Sequence, residues 1–249
     1  MNPKPAETFI EQISPDRVAA YESYFRTLAP RTVEDVFKRW MFAYASVHTT
    51  WEANCKLYQE LQDLSWVGNR HALLQRIERS HAGLHNNRTQ FIMQFSNFYW
   101  KHPLWFNRVP GEDWFDYRDR IMERAPGIGP AKAAFLLELV YFHRSQVACF
   151  DTHMVQLYGT STKAYAQGRV RDAELNAMER AWTAACQARG LSPCTARWIY
   201  WDTKQGKQSS TYWSYVLETN AKENEHATDT LGVAEHPVAG SELAAFACT

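Results

Sequence analysis

The sequence predicts an all-α protein, on three observations. Apolar residues recur at three- and four-residue spacing in segment after segment, the mark of helices with one buried face. The breaks between those segments carry helix signals, with Ser, Thr or Asn before a run and Gly or Pro after it. No stretch shows a convincing strand alternation, and no internal repeat is present. At 249 residues, with 45% apolar and 14% aromatic content, the chain is large enough to bury a full-sized core, as one domain or two small lobes.

Residues 1–14 read as a loose N-terminal arm. Ser14-Pro15 opens a helix carrying Val18, Tyr21, Phe25 and Leu28 and ending before Pro30. Thr32 caps the next helix, whose apolar face is Val36, Phe37, Trp40, Met41 and Tyr44. A polar segment from Ala45 to Asn54 follows, then a helix from Asn69 to about Arg79. Gly83-Leu84-His85-Asn86-Asn87-Arg88 leads into another, with Asn86 as its cap. Trp100 to Glu112, rich in aromatic and basic residues, either lines a pocket or covers the core. Trp114 to Glu123 is a short helix. Past residue 150 a helix ends at Gly159, residues 160–169 form a polar loop, Val170 to Arg189 is helical, and Ser192-Pro193 starts one more. A polar loop at 204–208 precedes a short helix ending near Thr219. These boundaries predict one working domain over 1–220 and an acidic, disordered tail over 221–249.

Charge and thiols narrow the setting. Lys plus Arg equal Asp plus Glu at 27 each, but the tail holds one basic residue, Lys222, against five acidic ones, so the remainder carries a modest positive excess. That permits nucleic-acid binding without arguing for it. The five cysteines are scattered and form no CxxC pair, which predicts reduced thiols and a cytoplasmic protein. No apolar run is long enough to span a bilayer and no signal peptide is visible, so no membrane partner is expected. A monomer is expected.

The most informative stretch is Ala125-Pro126-Gly127-Ile128-Gly129-Pro130-Ala131-Lys132, between the Trp114 helix and an apolar run through Phe135, Leu136, Leu139, Val140 and Phe142. Two glycines allow positive φ and close approach to a ligand. Pro130 suits a first helical turn. The turn, within a hairpin of about 113–143, would offer backbone N–H groups to a phosphate without reading bases. An ordinary helix–helix loop is the alternative. A short apolar run, Val147 to Phe150, then delivers Asp151-Thr152-His153 at the start of a new helix. Asp151 could also be only a helix cap.

Hairpin, helix and Asp-Thr-His together resemble the helix-hairpin-helix DNA glycosylase superfamily, which includes endonuclease III, over roughly residues 32–160. The resemblance implies a two-lobed helical glycosylase-type fold and double-stranded DNA as partner. It makes Asp151 the catalytic carboxylate, and Gly127, Ile128, Gly129, Ala131 and Lys132 DNA contacts. Relatives with an iron–sulfur cluster carry four C-terminal cysteines. Here only Cys186 and Cys194 lie nearby, so no cluster is expected. No cofactor is expected, apart from a monovalent cation that hairpin carbonyls hold in such turns. Ser46-Val47-His48-Thr49-Thr50 matches a family segment that presses polar residues into the DNA, with His48 where a glutamine usually stands and Thr49 as a further contact. If the helix starts at or before His48, His48 and Glu52 share a face; otherwise Glu52 is a capping-box partner.

Strand-cutting members carry a lysine two residues past the second hairpin glycine. Here that position is Ala131, and Lys132 comes one residue, or about 100° of helix, later. The resemblance therefore disfavours lyase chemistry. It is similar, through residues 45–54, to a bacteriophage branch: the α-glutamyl/putrescinyl thymine pyrophosphorylases, or amino acid:DNA transferases. These displace pyrophosphate from activated 5-hydroxymethyluracil with an amine, a thymidine hypermodification that protects viral DNA from restriction. On that expectation a free amino acid, glycine being one choice, is the second substrate. Asp151 or His48 would serve as the base. Lys132, Arg88 or Lys101 would neutralise pyrophosphate, Glu52 would help hold substrate, and Arg169 or Arg197 would meet an amino-acid carboxylate. A monofunctional DNA glycosylase is the alternative, and a non-catalytic DNA-binding module the second.

Overall fold

A computed structural model describes residues 2–204. Among them every regular element is helical, in chain order α1 (Lys4–Gln12), α2 (Pro15–Thr27), α3 (Val33–Ala45), α4 (Trp51–Glu60), α5 (Arg70–Ser80), α6 (His85–Tyr99), α7 (Trp114–Met122), α8 (Pro130–Tyr141), α9 (Thr152–Leu157), α10 (Thr162–Ala166), α11 (Asp172–Ala188) and α12 (Pro193–Lys204). Three of the expected caps form where the sequence placed them. Ser14 accepts the Arg17 N–H, Asn69 accepts the Ala72 N–H, and Thr32 and Asp35 make a reciprocal capping box.

Two cores result. One gathers α3 to α8 around Phe37, Trp40, Phe95, Tyr99 and Leu136. The other joins both ends of the described chain, with Ile10, Phe25, Trp182 and Trp198 packed on Leu139, Phe142 and Met154. Phe135 of α8 touches both. Helix α8 is therefore the shared wall of a two-lobed, all-α fold.

Four expectations are corrected. The N-terminal arm is α1, because Ala6, Ile10 and Ile13 fall on one face and are buried in the second core. The 160–169 loop contains α10, capped by Ser161 and pinned where the Tyr165 hydroxyl donates to the Phe150 carbonyl at 2.9 Å. Asn86 does not cap α6. That helix begins at His85 after a left-handed Leu84 (φ 52°), without a side-chain cap, and Asn86 is exposed. Lys204 ends α12 and is not loop. Trp100 to Glu112 covers the core. Phe106 is buried among Trp40, Phe95 and Tyr99, and Arg120 ties the segment down through the carbonyls of Trp105 and Asn107. The expected helix near 219 and the acidic tail lie outside the described residues.

Candidate active-site cleft and hairpin

The hairpin joins α7 to α8 by a turn closed where the Ile128 N–H donates to the Ala125 carbonyl. Gly127 takes a left-handed conformation, φ +79°, and a Cβ there would stand 2.3 Å from a ring carbon of Phe91. Gly129 is different: its φ of −92° is open to any residue, and a Cβ would meet nothing within 4 Å. Only one of the two glycines is thus demanded by backbone geometry. Gly129 holds the N-cap position of α8 with Pro130 behind it, and no side chain caps the helix. The first-turn amides, including those of Ala131 and Lys132, lack intrahelical acceptors and lie at the positive end of the dipole. Ile128 turns its side chain into the core at 6% exposure, so what it offers a ligand is backbone alone.

Asp151 is placed by an extended segment after α8. The Ala148 N–H donates to Glu179 at 3.0 Å and the Cys149 N–H to Glu138 at 2.8 Å. Each glutamate is buried and paired, Glu179 with Arg118 at 2.5 Å and Glu138 with one edge of the Arg197 guanidinium, whose Nε and Nη2 both donate to it. Burial pushes the Glu138 carboxyl up to about 7, against the pull of Arg197. Burial also raises Glu179, with Arg118 opposing. For Arg197, burial works against the charge, but Glu138 together with Cys149 and Asp151 outweighs it, so the proton is held more firmly than usual. Two buried ion pairs therefore fix the strand of chain that ends at Asp151. Asp151 then caps α9, its Oδ1 accepting the N–H groups of His153 (2.9 Å) and Met154 (3.1 Å). No hydrogen bond is made to Oδ2 among the described residues. The cap and the candidate catalytic group are one side chain.

Half-buried Asp151 lines a cleft of about 270 Å³ between the lobes. Its walls are Thr49, Thr50, Trp51 and Asn54 from the start of α4, Lys132 and Phe135 from α8, and Arg197, Trp198 and Trp201 from α12. Lys132 holds its ammonium 5.4 Å from the centre of the Phe135 ring. The one-residue offset does not turn Lys132 out of the cleft. Ala131 lines a groove on the other side, with Phe150, Tyr165 and Glu179, which Lys132 also borders.

Other expected site residues go elsewhere. Arg88 is corrected outright. At 4% exposure it donates to the carbonyls of Tyr44, Val47 (2.9 Å) and Ala82 (3.2 Å), so it closes the end of α3 and is not available to a phosphate. Burial lowers its pKa to about 10. His48 is in a left-handed turn (φ 48°) ahead of α4, in a separate hollow with Tyr44, Leu84, Phe91 and Gly127. It is not in the α4 helix and shares no helix face with Glu52. Glu52 is exposed and outside the cleft lining. It makes no capping box, because Thr50 is the cap and accepts from Ala53. Thr49 does reach the cleft wall. Arg197 borders the cleft with Nε and Nη2 committed to Glu138, while Arg169 and Lys101 are exposed outside the lining. Asn54 and the two glutamates went unread. A lone Glu138 inside the apolar run Phe135 to Val140 was the available signal for a buried, paired charge.

Among the described residues no group of three or more His, Cys, Asp or Glu side chains is placed to hold a metal ion. No helix there is long and apolar enough to cross a membrane.

The chain matches no family model and no curated protein. Among solved structures it is similar to the 8-oxoguanine DNA glycosylase of Methanocaldococcus jannaschii, with a TM-score of 0.62 and 16% identity over 82% of this chain and 94% of that one. It is also similar to the 8-oxoguanine DNA glycosylase of Thermotoga maritima, with a TM-score of 0.57 and 20% identity over 83% and 97%. The fold is thus that of the helix-hairpin-helix DNA glycosylases.

Proposed function

We propose that this protein acts on a base extruded from double-stranded DNA, and that it releases that base as a DNA glycosylase without cutting the strand. The observation that carries the reading is the position of Asp151, at a cleft bordered by the first turn of an uncapped hairpin helix. The hairpin amides and Lys132 would hold the phosphates beside the extruded nucleotide. Asp151 would stabilise the positive charge that develops on the sugar and take a proton from water as the water oxygen bonds to C1′. The glycosidic bond breaks with its electron pair going to the base. The likeness in fold to two DNA glycosylases supports this reading; release without strand cleavage rests on the sequence offset alone, since Lys132 does border the Asp151 cleft.

The presence of Lys132 on the same cleft favours a second reading, amine transfer to activated 5-hydroxymethyluracil. An amine would form a bond to the exocyclic methylene carbon as its bond to pyrophosphate breaks, Lys132 would neutralise the departing anion, and Asp151 would take the ammonium proton. Product analysis separates the two. Duplexes carrying a panel of damaged and modified bases, including the pyrophosphorylated one with mixed amino acids, would be incubated with the protein and digested for mass spectrometry. Free base with abasic sites is the expected result. An amino acid on an intact nucleoside would instead establish the transferase, and no change on any base would leave a binding module.

A further inference from the structure

Asn54 sits at the end of the first turn of α4, its N–H donating to the Thr50 carbonyl at 2.9 Å. It lines the Asp151 cleft, yet is only 4% exposed, and its side-chain oxygen is buried with no hydrogen-bond partner. Buried polar atoms are nearly always paired, so an acceptor in a cleft wall that no protein group satisfies is a place for a ligand's donor. The surrounding wall is aromatic, with Trp51, Phe135 and Trp201, which suits a planar ligand held by stacking.

Resting on the base-extruding reading above, we infer that Asn54 is a specificity-determining residue that reads the edge of the base, and that the base carries a ring N–H beside a carbonyl. A side-chain amide supplies an acceptor and donors side by side. A ring N–H would donate to the Asn54 oxygen while the adjacent carbonyl accepts from its amide nitrogen. Lys132, on the same cleft, has donors only, so it favours bases with a carbonyl at C4 of a pyrimidine or C6 of a purine, such as uracil or hypoxanthine, over cytosine and adenine, which carry a donating amine at that position. A site built to hydrogen-bond its ligand rejects the mismatched analogue far more strongly than an apolar pocket does.

Binding of deoxynucleosides tests this, because the sugar removes the ring N–H that free cytosine carries beside its C2 carbonyl. The deoxynucleosides of uracil, hypoxanthine, cytosine and adenine would be titrated into the full-length wild type, Asn54→Leu and Asn54→Asp, followed by tryptophan fluorescence, with melting temperatures measured in parallel. The expected result is at least tenfold tighter binding of the uracil and hypoxanthine nucleosides by the wild type, and at least tenfold loss in Asn54→Leu with a melting temperature no lower. Asn54→Asp, an acceptor-only side chain when ionised, would move preference toward cytosine and adenine. Equal affinities in wild type and Asn54→Leu, no binding of any nucleoside, or a wild-type preference for cytosine and adenine would each overturn the inference. Should wild type bind nucleosides through Asn54 yet release no base from DNA, the glycosylase reading fails and the assignment of Asn54 stands.

Discussion

Glu138 accepts the backbone N–H of Cys149 at 2.8 Å from a side chain with no exposed surface, two residues ahead of Asp151. The same carboxylate accepts from Nε and Nη2 of Arg197, so a helix, a strand of extended chain and α12 are joined at one buried charge. Removing one member leaves the other charged and unpaired. Glu138→Leu should therefore cost about 3–5 kcal/mol in urea denaturation. The double variant Glu138→Leu with Arg197→Met should recover most of that stability, since apolar replacements of a buried pair are often neutral. It should not recover activity, because the Cys149 amide stays unheld. Full activity in the double variant would remove Glu138 from any part in placing Asp151.

Asp151 combines a cap with a candidate catalytic carboxylate, and one substitution separates them. Asn caps helices about as well as Asp, so Asp151→Asn should unfold within a few degrees of wild type. Base-product formation should drop about 10²–10⁴-fold, the range for a lost acid–base group. Unchanged product formation would mean that the carboxylate serves only α9.

The two hairpin glycines should respond unequally. Gly127→Ala forces a Cβ against Phe91 in a left-handed backbone, for a loss of roughly 2–4 kcal/mol from overpacking and strain together. Gly129→Ala meets no atom and needs no unusual φ, so it should lose only the difference between a Gly and an Ala N-cap, about 1 kcal/mol or less. Comparable losses in both variants would contradict the turn described above.

Lys132 borders the cleft as a cation over Phe135. Borohydride treatment of protein with abasic-site duplex should trap no covalent adduct, while Lys132→Ala should weaken duplex binding and flatten its dependence on salt by about one phosphate contact. A trapped adduct that disappears in Lys132→Ala would make Lys132 a Schiff-base nucleophile and the protein a lyase.

Thiol chemistry reports on packing. Burial raises Cys55 to about 11 and carries Cys149, Cys186 and Cys194 higher still. With the pKa above the pH, the reactive thiolate is scarce, about one part in a thousand for Cys55 at pH 8. In a Cys248→Ser background, iodoacetamide labelling at pH 8 should be slow in the native protein, accelerate at Cys55 first as pH approaches 11, and become rapid in denaturant. Fast native labelling at Cys149 would contradict its placement in the wall behind Asp151.

The caps at Ser14, Thr32 and Asn69, the hairpin turn and the Asp151 cap were legible in the sequence because each is settled within three or four residues. Thr32 reads its own Asp35, Asp151 reads His153 and Met154, and Pro130 needs only its place after Gly129. The α1 arm was missed because three apolar residues in a polar segment do not show that a partner surface is waiting for them. α10 was missed because it is five residues long and held by one long-range bond from Tyr165.

By itself, then, the sequence determined the all-α class, most helix boundaries, the glycine turn and the carboxylate that follows it. Tertiary structure alone decided which side chains meet. Arg88 is spent on carbonyls 41 to 44 residues away, and Arg197 on a glutamate 59 residues away. His48 left the cleft and Asn54 entered it because the α4 helix begins at Trp51, not earlier. Local hydrogen bonding sets where a helix starts, whereas burial of charge and the closing of two cores on one shared helix set what its side chains face.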